Sequence, residues 1–115
     1  MHIKLLKLLL RLFLAAVTMG AMASLSAQER SAPLKRGEAL LTKNCARCHA
    51  TGTAGLSPHP EAPPFRTLSR RYPVEGLGEA LAEGLFVGHP DMPQFVFDAQ
   101  DVGAIIAYLK SIQER

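Results

Sequence analysis

Five residues, Cys45-Ala46-Arg47-Cys48-His49, combine two thiols and an imidazole at a spacing that can do specific chemistry. Two cysteines separated by two residues, with histidine directly after the second, form the attachment pattern of covalent haem. Each thiol adds to one of two vinyl groups on the same porphyrin edge. About one helical turn separates Cys45 from Cys48, so both sulfurs can reach that edge together. His49 then falls under the ring centre, where a ring nitrogen can bind iron. The same residues admit three other readings. One is a structural disulfide, common in small exported proteins. Another is a thioredoxin-like thiol pair, which needs a flanking βαβ pattern that this chain lacks. The third is a tetrahedral zinc site drawn from Cys45, Cys48, His49 and His59.

The elements that must position these groups come from a short chain. Its first residues, Met1 to Lys7, are basic and apolar; an apolar run then leads to small residues. That order predicts a secretory signal peptide over residues 1–23, with Ala21-Met22-Ala23 fitting the small-x-small rule. Cleavage after Ala27 is the later option, and it would place Leu25 where a small side chain is preferred. The uncharged run after Arg11 is short against the roughly 20 apolar residues that a bilayer span needs. No membrane span is therefore expected after leader cleavage, and the mature protein is expected in the periplasm. In bacteria, covalent haem attachment is carried out outside the cytoplasm, so export is consistent with it. The oxidising compartment equally suits the disulfide reading.

Cleavage also changes the charge. Lys4, Lys7 and Arg11 account for the formal +3, because ten basic and ten acidic residues remain beyond the leader. A formally neutral domain offers no electrostatic footprint for nucleic acid. The remaining ~90 residues make one domain with a modest core, and such domains usually need a staple. The sequence holds two cysteines and no tryptophan. A disulfide between residues three apart would close a tiny loop and stabilise little. A buried macrocycle would supply the missing core, which favours haem over the disulfide.

Residues 24–32 are polar and expected to be flexible. Pro33 suits the first turn of a helix that carries Leu34, Gly37 and Leu41 at helical spacing. A glycine at 37 costs about 1 kcal/mol against alanine, which fits a close crossing by another helix or a tolerated surface position. After His49, residues 51–64 read as a long loop rich in Gly and Pro. Either Pro63 or Pro64 can present a carbonyl to the second ring nitrogen of His49, or merely stiffen the loop. Phe65, Leu68 and Tyr72 mark a short helix decorated by Arg66, Arg70 and Arg71, any of which could neutralise a haem propionate. Pro73 starts another helix, ending at Gly84. The last helix is capped by Asp98 and carries Val102, Ile105, Ile106, Leu109 and Ile112 in one stripe, with Tyr108 beside it.

Three side chains beyond the motif could fill the sixth position on iron: His59, His89 and Met92. Met92 is the only methionine left once the leader is removed, and it sits between Asp91 and Pro93 in a proline-braced strap. A lone methionine is ordinarily core filler, but this one is not on an apolar helix face. His59 is close to His49 in sequence, and His89 is three residues from Met92.

With these motifs in hand, residues 33–113 resemble a class I c-type cytochrome. The resemblance rests on the Gly-bearing helix before Cys45-Ala46-Arg47-Cys48-His49 and on the Ala62-Pro63-Pro64-Phe65 turn. The Met92-Pro93 strap and the closing Ile106-Ala107-Tyr108-Leu109-Lys110 helix add to it. It implies an all-α fold, small and wrapped around one covalently bound haem c. It further implies thioethers at Cys45 and Cys48, His49 as proximal ligand, Met92 as distal ligand and Pro63 as the carbonyl facing His49. The first and last helices would cross near Gly37, with Ile105 and Tyr108 against Leu41. The chain departs from common members in lacking a tryptophan near the propionates and in placing His89 in the distal strap.

The expected function is single-electron transfer between redox protein partners, with both axial sites filled so that substrate cannot reach iron. The molecule would act as a monomer or as a subunit of a larger dehydrogenase or oxidase complex. The rival expectation is a haem enzyme or gas sensor with an open sixth site. Basic residues at 43, 47, 66, 70 and 71 contrast with a mostly acidic stretch from Glu75 to Asp101, and this asymmetry would orient the molecule on a partner.

Overall fold

In a computed structural model, residues 2–84 and 90–114 are described, the side chains of residues 15–27 and 30 excepted. The chain divides into two compact units, Met1–Ser31 and Ala32–Arg115. Helix α1 is His2–Cys45 and contains Pro33 in its interior, not in a first turn. Proline has no N–H to give to the carbonyl four residues back. The division between the units falls two residues before it. Residues 24–32, read from sequence as a flexible polar segment, lie within α1.

In the first unit, Lys4, Lys7 and Arg11 recur at spacings of three and four, which places them on one helix face. The leucines between them are exposed. Among the described residues, no helix is long and apolar enough to cross a membrane.

The second unit is helical, with no strand among its described residues. After α1 come two 3₁₀ turns, Phe65–Arg70 and Val74–Gly76, then α2 (Leu77–Glu83) and α3 (Ala99–Ser111). The core gathers around α3, with Ile105 fully buried and Leu41, Leu68, Val74 and Leu109 nearly so. Tyr108 lies inside that cluster, together with Phe65 and Ile112. The sequence stripe placed Tyr108 beside the apolar face, whereas Ala104 and Tyr108 are buried and Ile106 is only half-buried. Gly37 accounts for that shift. A Cβ there would collide with the Ala104 carbonyl oxygen and lie 2.8 Å from Tyr108 Cβ, so α1 and α3 cross backbone to backbone at this point. That close approach turns Ala104 and Tyr108 inward. Burial, with the Glu38 carboxylate adding to it, holds the Tyr108 phenol above its ordinary pKa. Its hydroxyl donates to the Thr51 carbonyl at 3.2 Å, tying α3 to the loop after the motif.

Local chemistry starts and stops these helices. The Asp98 carboxylate accepts from the Asp101 N–H at 2.8 Å, satisfying a donor that the first turn of α3 leaves open. Asp101 in turn pairs with Arg36 of α1 at 2.5 Å. Gly84 closes α2 with φ at +71°, a left-handed conformation that L side chains rarely adopt. A Cβ on Gly84 would come within 2.8 Å of Val96, because the strap of residues 94–97 lies against it.

Candidate haem site

Cys45 is the last residue of α1, and the chain turns tightly after it. The Cys48 and His49 N–H groups both donate to the Cys45 carbonyl, at 3.1 and 2.9 Å. Both cysteines are free thiols and half-buried. Burial, and next the neighbouring Cys48, push the Cys45 thiol up to about 11. It is therefore protonated at neutral pH in the folded chain, and a thiol is far less nucleophilic than a thiolate.

His49 is held on two sides. Its Nδ1 lies 2.9 Å from the Pro63 carbonyl oxygen. A carbonyl can only accept, so Nδ1 carries the proton and Nε2 carries the lone pair. The Phe65 ring stacks on the imidazole, with centroids 4.5 Å apart and planes inclined by 30°. Phe65 itself is anchored, its N–H donating to the Ala50 carbonyl at 2.9 Å. Of the two prolines left open by the sequence, Pro63 supplies the carbonyl next to His49, and Pro64 precedes the 3₁₀ turn.

A cavity of about 460 Å³ opens beside the motif, lined by Cys45, Cys48, His49, Pro63, Met92 and Phe95 among others. That volume falls in the range of small-molecule and cofactor sites, about 300–1,000 Å³. Arg47, Glu61 and Asp91 also line it and bring charge of both signs. Met92 is half-buried in the strap that follows Pro90. Two contacts hold that strap to α2: the Gln94 amide donates to the Gly84 carbonyl, and the Phe97 N–H donates to the Leu81 carbonyl at 2.9 Å. His59 spans from the loop toward the strap, with Nε2 3.8 Å from the Asp91 carboxylate. His89, the other candidate of the strap, lies outside the described residues.

The residues that the sequence singled out thus meet around one cavity: Cys45, Cys48, His49, Pro63 and Met92. The arginines do not join them. Arg66 and Arg70 are paired with Glu114, at 2.7 and 2.8 Å, and Arg71 does not line the cavity. Arg47, read from sequence as part of a basic docking side and not as a propionate partner, is the arginine that does. Phe65 reads from sequence as a residue that marks a short helix, and its stacking on His49 has no signal in spacing. The zinc reading does not survive: among the described residues, no three His, Cys, Asp or Glu side chains converge to hold a metal ion. A covalent haem fits what is present. Two free thiols sit one turn apart, the imidazole is orientated by a second hydrogen bond in the manner of metal-ligating histidines, and a soft thioether lines the same cavity.

Comparison with known proteins agrees. Residues 34–113 match the family model described as cytochrome c. Cytochrome c-552 of Bradyrhizobium diazoefficiens is 31% identical over 93 residues, which cover 81% of this chain and 88% of that protein. No solved structure matches significantly. The chain belongs to the cytochrome c family. It is a haem c electron carrier with one covalently bound haem, and Cys45 and Cys48 are the two thiols its sequence provides.

Proposed function

We propose that this chain is an exported monohaem carrier in which His49 and Met92 are the axial ligands of the haem iron. Bound haem c supplies a one-electron couple at iron. The observation that carries the ligand assignment is the meeting of His49 and Met92 on one cavity, with the Nδ1 proton of His49 already engaged by Pro63. The Pro63 carbonyl raises the basicity of the imidazole and keeps its lone pair on Nε2. Gln94, Phe97 and the left-handed turn at Gly84 fasten the strap to α2 just beyond Met92, which supports a thioether that is held rather than recruited. Two protein ligands leave no site on iron for substrate, which suits a carrier and not an oxidase.

Export is supported by the leader pattern alone: basic residues at 4, 7 and 11, an apolar run and Ala21-Met22-Ala23. The mature domain would act in the periplasm, passing electrons between redox proteins. Those partners would meet it near the cavity mouth, which the exposed Arg47 lines, with Lys43 exposed on the last turn of α1.

Substitution at the strap tests the assignment. The oxidised protein is expected to show the weak near-infrared band of a sulfur–iron(III) bond. Met92→Ala should abolish the band and lower the reduction potential. His89→Ala combined with Met92→Ala tests for a substitute from the strap, since a bis-histidine spectrum that depends on His89 would appear in the single variant and not in the double. A near-infrared band that persists in Met92→Ala contradicts the assignment.

A further inference from the structure

We propose that the C-terminal pair Gln113 and Glu114 positions the His49 imidazole, acting at a distance through the segment Pro63–Arg66. The inference rests on His49 being the proximal ligand, as argued above. Its starting point is that this one segment touches the imidazole twice, in two independent ways. The Pro63 carbonyl sets the direction of the Nδ1–H bond, at 2.9 Å. The Phe65 ring, stacked 4.5 Å away, sets the rotation of the imidazole plane about that direction.

On its far side the same segment is gripped by the residues that follow α3. The Gln113 amide donates to the Phe65 carbonyl at 2.8 Å, and the Glu114 N–H donates to the Arg66 carbonyl at 2.8 Å. The Glu114 carboxylate takes the Arg66 Nε–H at 2.7 Å and an Arg70 N–H at 2.8 Å. Arg66 also donates to the Gly55 carbonyl at 2.9 Å, which ties the loop after the motif to the same point. Gln113 is fixed in its turn, accepting from the Ser69 N–H at 2.8 Å and donating to the Leu109 carbonyl at 2.7 Å.

The Arg66 side chain is only 15% exposed, whereas its partner Glu114 is 39% exposed, so the pair is covered on the arginine side and open to water on the other. Arg70, at 62%, adds little beyond charge balance. Six hydrogen bonds therefore join residues 113–114 to positions 65, 66, 69, 70 and 109, and a seventh extends from Arg66 to the loop. The tail holds the carbonyl of Phe65 itself and the next one along, that of Arg66, so it fixes the backbone from which the ring stacked on His49 projects. Loosening it frees Phe65 to tilt, and the imidazole plane follows.

The orientation of an axial imidazole can be read directly in the oxidised holoprotein. The order and spread of the haem methyl proton resonances depend on it, as does the g anisotropy of the frozen solution. Gln113→Ala, Glu114→Gln and Phe65→Leu should all shift the methyl resonances, the first two in the same sense as the third. Ile112→Val removes one buried methyl next to the tail without touching its polar contacts, and should lower Tm while leaving those resonances in place. Methyl shifts unchanged in both Gln113→Ala and Glu114→Gln, whatever happens to Tm, would overturn the proposal. The unmutated protein separates this from the underlying reading. Absence of a low-spin imidazole-ligated spectrum there overturns the ligand assignment together with the tail, whereas unmoved methyls in a low-spin protein overturn the tail alone.

Discussion

At the level of single residues, two neighbours orient the His49 imidazole, the Pro63 carbonyl and the Phe65 ring. The Nδ1–H of His49 is donated to the Pro63 carbonyl, which fixes the direction in which the imidazole lies. Burial and Cys48 raise the Cys45 thiol to about 11, which makes it a poor nucleophile in the closed fold. Replacing both cysteines, Cys45→Ser with Cys48→Ser, should give protein whose haem is lost to acid–acetone. The variant should also be largely unfolded, because the small core has no other staple. Thermal melting checks this, and a cooperative transition near that of the intact protein would show that haem does not complete the core.

At the level of elements, the helix crossing at Gly37 is the contact with least tolerance. Alanine there would gain about 1 kcal/mol of helix propensity. Its Cβ would meet the Ala104 carbonyl, which is backbone and cannot swing aside. Overpacking of this kind costs about 1–3 kcal/mol, and more where backbone must move, so the net effect of Gly37→Ala is a loss. Asp98→Ala should cost about 1 kcal/mol by removing the cap of α3. Chemical denaturation of the holoprotein ranks the two, with Gly37→Ala the lower midpoint. Both features were legible in the sequence, as a glycine at helical spacing and as a capping aspartate. So were the motif, the Pro63–Pro64 turn and the strap methionine, because each is a local pattern whose chemistry is written in adjacent residues. The grip of Gln113 and Glu114 on Phe65 and Arg66 was not. It joins residues 48 apart through polar side chains that follow no periodicity, and the arginines it consumes look from sequence like propionate partners. The start of α1 was misjudged for a related reason. Proline at 33 favours a first turn, and the helix nonetheless contains it.

At the level of the whole molecule, charge around the cavity is mixed. Arg47 faces it from the motif, and Glu61 and Asp91 from the loop and the strap. With Arg66 and Arg70 committed to Glu114, the basic side available for steering a partner reduces to Lys43, Arg47 and Arg71, all exposed. Reversing Lys43 and Arg47 to glutamate should change the salt dependence of electron transfer to a physiological partner while leaving the visible spectrum intact. An unchanged ionic-strength profile would exclude steering by these two side chains. The proposed ligation by His49 and Met92 would close both axial positions and so make a carrier. Exposing the unmutated, reduced protein to carbon monoxide tests it most directly. With Met92 on iron, the spectrum should change slowly and incompletely. Rapid, complete formation of a carbon monoxide adduct would contradict it and favour a haem enzyme or gas sensor with an open sixth site.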